Sequence, residues 1–178
     1  MPTQVEEKSV AGGQVDRLTQ DLIGVVAREA EQLDTLWQLL SRQQRFLVEG
    51  NVAAVEANVQ EQEQVIRISR ELEGERCRLL CRVAEQLAGD PRAMTLAKLA
   101  ELLSGSYATR LNELRGTLVS ITQNIERARR QNEMLITRSL FHIGETMRLL
   151  AGSAATVPAY SANPAVRAPG AALLNRVG

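Results

Sequence analysis

The sequence has few aromatic residues and few cysteines. Aromatic side chains make up 3% of its 178 residues, so a core must be built from Leu, Val, Ile and Ala, which suits packed helices better than β-sheets. The two cysteines, Cys77 and Cys81, are four residues apart in a segment with helical spacing. This number excludes a disulfide framework and favours two reduced, small hydrophobic side chains over a metal or redox site.

An excess of one charge and a long hydrophobic run are also missing. The chain carries 21 basic and 21 acidic side chains, which argues against a nucleic-acid-binding protein because phosphate affinity needs clustered excess Lys and Arg. No apolar run reaches the roughly 18 to 20 residues that span a bilayer, so no membrane insertion is expected. The start of the chain, Met1 to Val10, is polar and acidic rather than signal-like, and a cytoplasmic protein is predicted.

Motifs that carry out chemistry are absent as well. The sequence contains no Walker loop, dinucleotide fingerprint, CxxC pair or nucleophile elbow. The single histidine, His142, stands on a predicted helix seam, where a packed and hydrogen-bonded residue is expected rather than a catalytic one. We therefore predict no enzyme, no metal site and no cofactor.

What the sequence does have is helical periodicity. Apolar residues separated by three and four positions predict a helix from Val15 to Glu49, which Gly50 ends, and Asn51 caps a second helix that stops at residues 88–91. The second helix has a predicted seam, meaning a line of apolar residues along one face, at Val52, Val55, Val59, Ile66, Leu80, Val83 and Leu87. The middle of this seam is polar. Leu72 and Leu79 lie beside the seam and can rotate the buried face of the helix. A short helix follows from an N-cap at Thr95 to about Ser104.

The strongest pattern predicts a long helix from Ser106 to Leu150, which would measure about 68 Å at 1.5 Å per residue. Its seam alternates steps of four and three residues: Tyr107, Leu111, Leu114, Leu118, Ile121, Ile125, Ala128, Asn132, Leu135, Ser139, His142, Thr146 and Leu149. The predicted fold is all-α, an elongated antiparallel helical bundle with long coiled-coil-like helices and a disordered C-terminal tail. The expected boundaries are a flexible N-terminus at 1–14, a bundle at 15–151 and a flexible tail at 152–178.

The last helix has more apolar circumference than one neighbouring helical hairpin covers. Apolar residues also stand off its seam, at Val119, Met134, Ile136, Leu140, Phe141, Ile143, Met147 and Leu150. We expect another polypeptide to lie against this surface. A protein client and a second copy of the chain, giving a homodimer, fit the pattern about equally.

Two stretches resemble a known family. The first helix carries LLSRQQRFL at 39–47 before the Glu49-Gly50-Asn51 turn, and the last helix carries RQNEMLI at 130–136 followed by SLFHI at 139–143. This arrangement resembles the FlgN family of flagellar export chaperones over roughly residues 15 to 165. In that family a tail tyrosine often stands in a Tyr-Gly-x-x-Gly setting. Tyr160 matches the tyrosine, whereas both glycines are absent here.

The resemblance implies a cytoplasmic chaperone of the flagellar type III secretion system. It would bind the unfolded or helical ends of hook-associated junction proteins (FlgK/FlgL type), prevent their premature assembly and deliver them to the export gate, with Tyr160 as a candidate gate-docking residue. The expected partner-binding residues are Leu118, Ile125, Asn132, Leu135, Ile136, Leu140 and Ile143, with Asn132 fixing register by hydrogen bonding. The alternative is a structural coiled-coil homodimer or scaffold without an export role.

Overall fold

A computed structural model of the chain describes the backbone of residues 4–154 and the side chains of residues 13–152. Four helices account for 90% of the described backbone, and that part of the chain contains no strand. They are α1 (Gln4–Glu49), α2 (Val52–Gln86), α3 (Leu96–Leu102) and α4 (Ser106–Ala154). The predicted all-α class is confirmed. The backbone of residues 4–14, in the segment predicted to be a flexible N-terminus, belongs to α1. Most of the predicted tail lies outside the described residues, and the expected boundaries at 15 and 151 stay predictions.

The predicted helix ends are formed by glycines and caps. Gly50 and Gly105 adopt left-handed φ angles of +66° and +69°, which an L side chain rarely adopts, and each separates two helices. Asn51 Oδ1 accepts a hydrogen bond from the Ala54 amide at 3.1 Å, and Thr95 Oγ1 accepts one from the Lys98 amide at 3.2 Å. α1 begins eleven residues before the predicted Val15, and α4 continues to Ala154 rather than ending at Leu150.

The chain divides into two compact units, with the boundary between Ser139 and Leu140. The first unit is a bundle in which α1 and α2 are antiparallel. Arg28 and Glu29 of α1 bind Glu75 and Arg76 of α2, whereas the Leu39 carbonyl, further along α1, binds Asn58 near the start of α2.

Helix α4 runs parallel to α1 within this bundle. Near the start of both helices, Leu18 and Leu22 share a core cluster with Leu111 and Leu114. Further along, Leu40 shares a second cluster with Ile125 and Ala128. The short helix α3 and the preceding Met94 complete the first cluster, to which they contribute Met94, Leu96, Leu99 and Ala100.

The buried face of α2 includes the predicted seam residues Leu80 and Val83, but before them it is rotated relative to the predicted seam. Asn58, Val65, Leu72 and Leu79 are buried at seven-residue intervals, whereas the predicted seam residue Val52 is 67% exposed. The rotation turns the Glu73 side chain outward, where it is 61% exposed, and so avoids the cost of burying this carboxylate. Leu72 and Leu79, which lie beside the predicted seam, are therefore buried together with its last part.

One ion pair lies between α1 and α2 with little exposure. Arg76 Nε donates to Glu29 Oε2 at 2.8 Å, and the two side chains are 20% and 9% exposed. Burial raises the pKa of the Glu29 carboxyl above 4.5, because desolvation outweighs the attraction of the Arg76 guanidinium. Glu29 was not recognised in the sequence, since an acidic residue on a long helix normally faces solvent.

The raised pKa of Glu29 predicts that its contribution to stability falls as the pH rises. The Glu29 carboxyl has a pKa of about 4.5 in the unfolded chain and a higher pKa in the folded chain, so the unfolded chain loses this proton first as the pH rises. The contribution of Glu29 to stability is therefore fully present below pH 4.5 and is lost as the pH rises through the folded-state pKa. Urea unfolding at several pH values between about 4 and 7 should show wild type losing stability relative to Glu29→Gln.

The matched control is Glu75→Gln, which removes a more exposed carboxylate from the neighbouring pair with Arg28. If wild type instead gained stability relative to Glu29→Gln with rising pH, attraction by Arg76 would outweigh burial and this expectation would be wrong.

Candidate binding surface

A buried asparagine joins α4 to α1. Asn132 is 3% exposed, and its Nδ2 donates to the Leu40 carbonyl and to Gln43 Oε1, both at 2.9 Å. Because Gln43 is also buried, this bond supplies a donor to an amide oxygen that has little access to water. Asn132 was expected to fix the register of a client by hydrogen bonding, whereas the two bonds that the structure shows for it are made to α1 inside the bundle.

A second asparagine binds the adjacent α1 carbonyl from the other side. Asn58 Nδ2 donates to the Leu39 carbonyl at 3.2 Å, and Asn58 Oδ1 accepts from Gln62 Nε2 at 2.6 Å. Asn58 and Asn132 thus contact successive carbonyls of α1 from α2 and α4. Together they form a polar layer, here defined as Asn58, Asn132 and Gln43.

The seam of α4 faces the bundle as far as this layer. Leu118 packs against the first core cluster, and Ile125 and Asn132 are only 8% and 3% exposed. Three of the expected partner-binding residues therefore face α4's own neighbours. Ile125 and Asn132 have little accessible area and Leu118 is partly buried, so the exposed part of the expected surface consists of the remaining four residues. The partner-binding role of all seven stays a prediction.

Two of these four lie in the bundle unit just beyond the polar layer. Leu135 is half-buried and Ile136 is 39% exposed. Ile136 lines a groove between α1 and α4, together with Leu40, Gln43, Arg129, Asn132, Glu133 and Thr137. The groove has an apolar wall on each helix and a charged rim.

The other two, Leu140 and Ile143, lie in the second unit and are 64% and 54% exposed. Met147 and Leu150 follow at steps of four and three, with exposed fractions of 67% and 65%. The four side chains share one side of the helix, in the spacing that coiled-coil helices use for contact. We call Leu140, Ile143, Met147 and Leu150 the α4 stripe.

Polar and aromatic side chains lie beside the stripe. Phe141 is 62% exposed, and its ring lies edge-on to His142 with the centroids 5.9 Å apart. His142 is itself exposed, so the expectation of a packed core histidine is wrong. Arg148 and Glu145 form an ion pair at 2.8 Å on the same helix.

The cysteines are the other reactive side chains considered in the sequence. Cys77 and Cys81 are free thiols and are exposed rather than packed. Tyr160 lies outside the described residues. Among the described side chains, no group of three or more His, Cys, Asp or Glu could hold a metal ion. None of the described helices has the length and apolar character needed to cross a membrane.

Sequence reasoning missed two parts of this arrangement. Met147 and Leu150 were recognised as apolar residues off the seam but were not assigned to the surface; their spacing from Leu140 and Ile143 was the available signal. Asn58 was missed because it falls between the valines of the predicted α2 seam. Its seven-residue spacing to Val65 and Leu72 would have identified it.

The described part of the chain is an all-α protein, with a polar internal layer and an exposed apolar helix face. Residues 18–166 match the family model described as FlgN protein. Because this match covers most of the chain, the protein belongs to the FlgN family, whose members are flagellar export chaperones. Comparisons with curated proteins and with solved structures gave no match.

The polar layer predicts a stability cost for Asn132→Ala. The substitution removes both Nδ2 bonds and leaves the buried Gln43 oxygen without its donor, so the free energy of unfolding should fall by about 1–3 kcal/mol. Urea unfolding followed by circular dichroism measures this change. Asn112→Ala, an exposed position on the same helix, is the control. Equal effects of the two substitutions would contradict a structural role for the layer.

Proposed function

We propose that this chain binds hook-associated junction proteins of the FlgK/FlgL type in the cytoplasm and delivers them to the flagellar export gate. The family supports the general chaperone role. The α4 stripe is the observation that carries the binding step, because it is an ordered helix face with four large apolar side chains, each more than half exposed. A monomeric protein gains nothing from exposing such a face unless another polypeptide covers it.

The spacing of the stripe specifies the kind of client segment that fits. Side chains at steps of three and four residues match an amphipathic client helix, whose own apolar residues would pack between them. An unfolded client end would become ordered as it binds, which lowers the affinity below what the contact area alone would give. A moderate affinity suits a chaperone that must release its cargo.

Charge contributes little to this contact. The only ion pair on the described part of the second unit, Glu145 with Arg148, is satisfied within the helix and lies off the stripe. A client therefore has no buried charge to neutralise, and its apolar residues supply most of the binding free energy. Ile136 in the α1–α4 groove is a separate candidate contact in the bundle unit.

No covalent step is required by this mechanism. Covering the apolar end of a junction protein prevents that end from associating with other subunits before secretion. Release requires only that a competing interaction at the gate lower the occupancy of the stripe. We further propose that Tyr160 contributes to docking at the gate, as the family resemblance implies.

The α4 stripe predicts loss of client capture in Leu140→Asp/Ile143→Asp. Two carboxylates placed in the apolar contact should weaken binding to a purified junction protein by roughly tenfold or more, measured by calorimetry. The helical circular dichroism signal should stay unchanged because both positions are exposed. Ile136→Asp tests the groove separately.

The control for this experiment is Val48→Asp/Val52→Asp, which places the same charges at exposed positions, 71% and 67%, beside the α1–α2 turn. Wild-type affinity in the stripe variant, or equal losses in both variants, would reject the stripe as the client surface. Failure of the wild-type chain to bind any junction protein would support the scaffold alternative.

If Tyr160 acts in docking at the gate, its substitution should reduce export without changing client binding. Tyr160→Ala should lower the amount of junction protein secreted into the medium, while the purified variant captures client as wild type does. Tyr160→Phe, which keeps the ring, shows whether the hydroxyl is needed. Normal secretion by Tyr160→Ala would remove this residue from the docking step.

A further inference from the structure

Two free thiols lie on the outer side of α2. Cys77 and Cys81 are both exposed, and each stands two positions from the buried Leu79, which at about 100° per residue places it on the far side of the helix. Neither contributes to the core clusters. Cysteine is among the residue types most often buried, and an exposed thiol is open to oxidation. Packing thus does not account for these two cysteines, whereas thiol chemistry would.

The spacing of the two cysteines suits one shared ligand better than a disulfide. Residues four apart lie on adjacent turns of one side of a helix, with their Cβ atoms about 5–6 Å apart. A disulfide needs Cβ atoms at roughly 3.5–4.5 Å, so an S–S bond between Cys77 and Cys81 would require the helix to deform. An ion held by two metal–sulfur bonds of about 2.3 Å each spans the gap while α2 stays helical.

The number and softness of the ligands select the ion. Among the described side chains, no third His, Cys, Asp or Glu completes a metal-binding group with the two thiols. Zn²⁺ takes four protein ligands, or three with an open position, so two thiolates are too few for it. Thiolate sulfur is a soft ligand that favours Cu(I). Because Cu(I) forms stable linear complexes with two thiolates, it matches both properties of this pair.

A positive charge lies on the same side of α2 as the thiols. Gly74 precedes Cys77 by three residues and Cys81 by seven, so the three positions share one side of the helix. The Arg78 side chain lies beside this glycine, with Nη1 3.8 Å from the position that a Gly74 Cβ would take. Two thiolates and one monovalent cation carry a net negative charge, which a guanidinium on this side offsets.

We propose that Cys77 and Cys81 form a binding site for one Cu(I) ion per chain, with the Arg78 guanidinium offsetting the charge of the complex. Each thiol loses its proton to the solvent, two copper–sulfur bonds form, and no electron is transferred. The ion then links two consecutive turns of α2 on its outer side. Client binding at the α4 stripe is not required for this step.

Competition with the chelator bicinchoninate for Cu(I) tests the site. The reduced full chain is mixed with Cu(I) and ascorbate under nitrogen, and the colour of the copper–chelator complex reports how much copper the protein holds. Wild type should hold one equivalent, and Cys77→Ser and Cys81→Ser should each bind roughly tenfold or more weakly. The affinity should rise with pH because two protons are released. A wild type that holds no more copper than Cys77→Ser/Cys81→Ser would overturn the proposal.

The matched control, Cys81→Ser/Gln86→Cys, keeps two thiols but places them about 13 Å apart along α2 and on opposite sides of it. It should bind no better than Cys81→Ser. Wild-type affinity in this control, or native mass spectra of the wild type with one copper bridging two chains, would reject a site within one chain.

Arg78 is tested by its charge. Arg78→Gln should lower the affinity several-fold at unchanged stoichiometry, and Arg78→Lys, which keeps the charge, should restore it. Equal affinity of Arg78→Gln and wild type would remove this residue from the site. Circular dichroism should be the same for all these variants, because the replaced side chains are exposed.

Discussion

The placement of apolar residues along α4 is the constraint on which both the bundle and the exposed α4 stripe depend. Up to Leu135 the apolar positions of the seam face the other helices of the bundle, and they contribute to the cores that include Leu111 and Ile125. Beyond it the seam positions Ser139, His142 and Thr146 are polar, and apolar residues stand one position later, about 100° around the helix axis. One helix thus supplies a buried face in its first part and an exposed face in its last part.

The polar layer determines how the three long helices align. An apolar seam of leucines permits several registers with similar burial, whereas an asparagine amide that binds one carbonyl favours a single register. Asn58 and Asn132 contact neighbouring carbonyls of α1, so both flanking helices are aligned to the same point. The Glu29–Arg76 pair adds a second fixed point between α1 and α2, at a cost of desolvation.

Helix number, type and most ends could be predicted from the sequence because glycine, asparagine and threonine have strong local preferences at helix ends. The buried face of α2 could not, because several faces of this helix carry apolar residues and only packing selects Leu72 over Val52. The same ambiguity affected the binding surface. A continuous seam predicts contact but not which molecule supplies it, so Ile125 and Asn132 were expected to meet a client and instead contact α1.

Helix α4 is unbroken from Ser106 to Ala154, and this continuity favours the helical state of its exposed end. A separate peptide of about fifteen residues would be marginal in water, because starting a helix is unfavourable by a factor of roughly a thousand. Here the first turns form within the bundle, and every later residue adds only an elongation step. The end that carries the α4 stripe therefore needs no bound partner to be helical, and fraying is expected to begin at its C-terminal side.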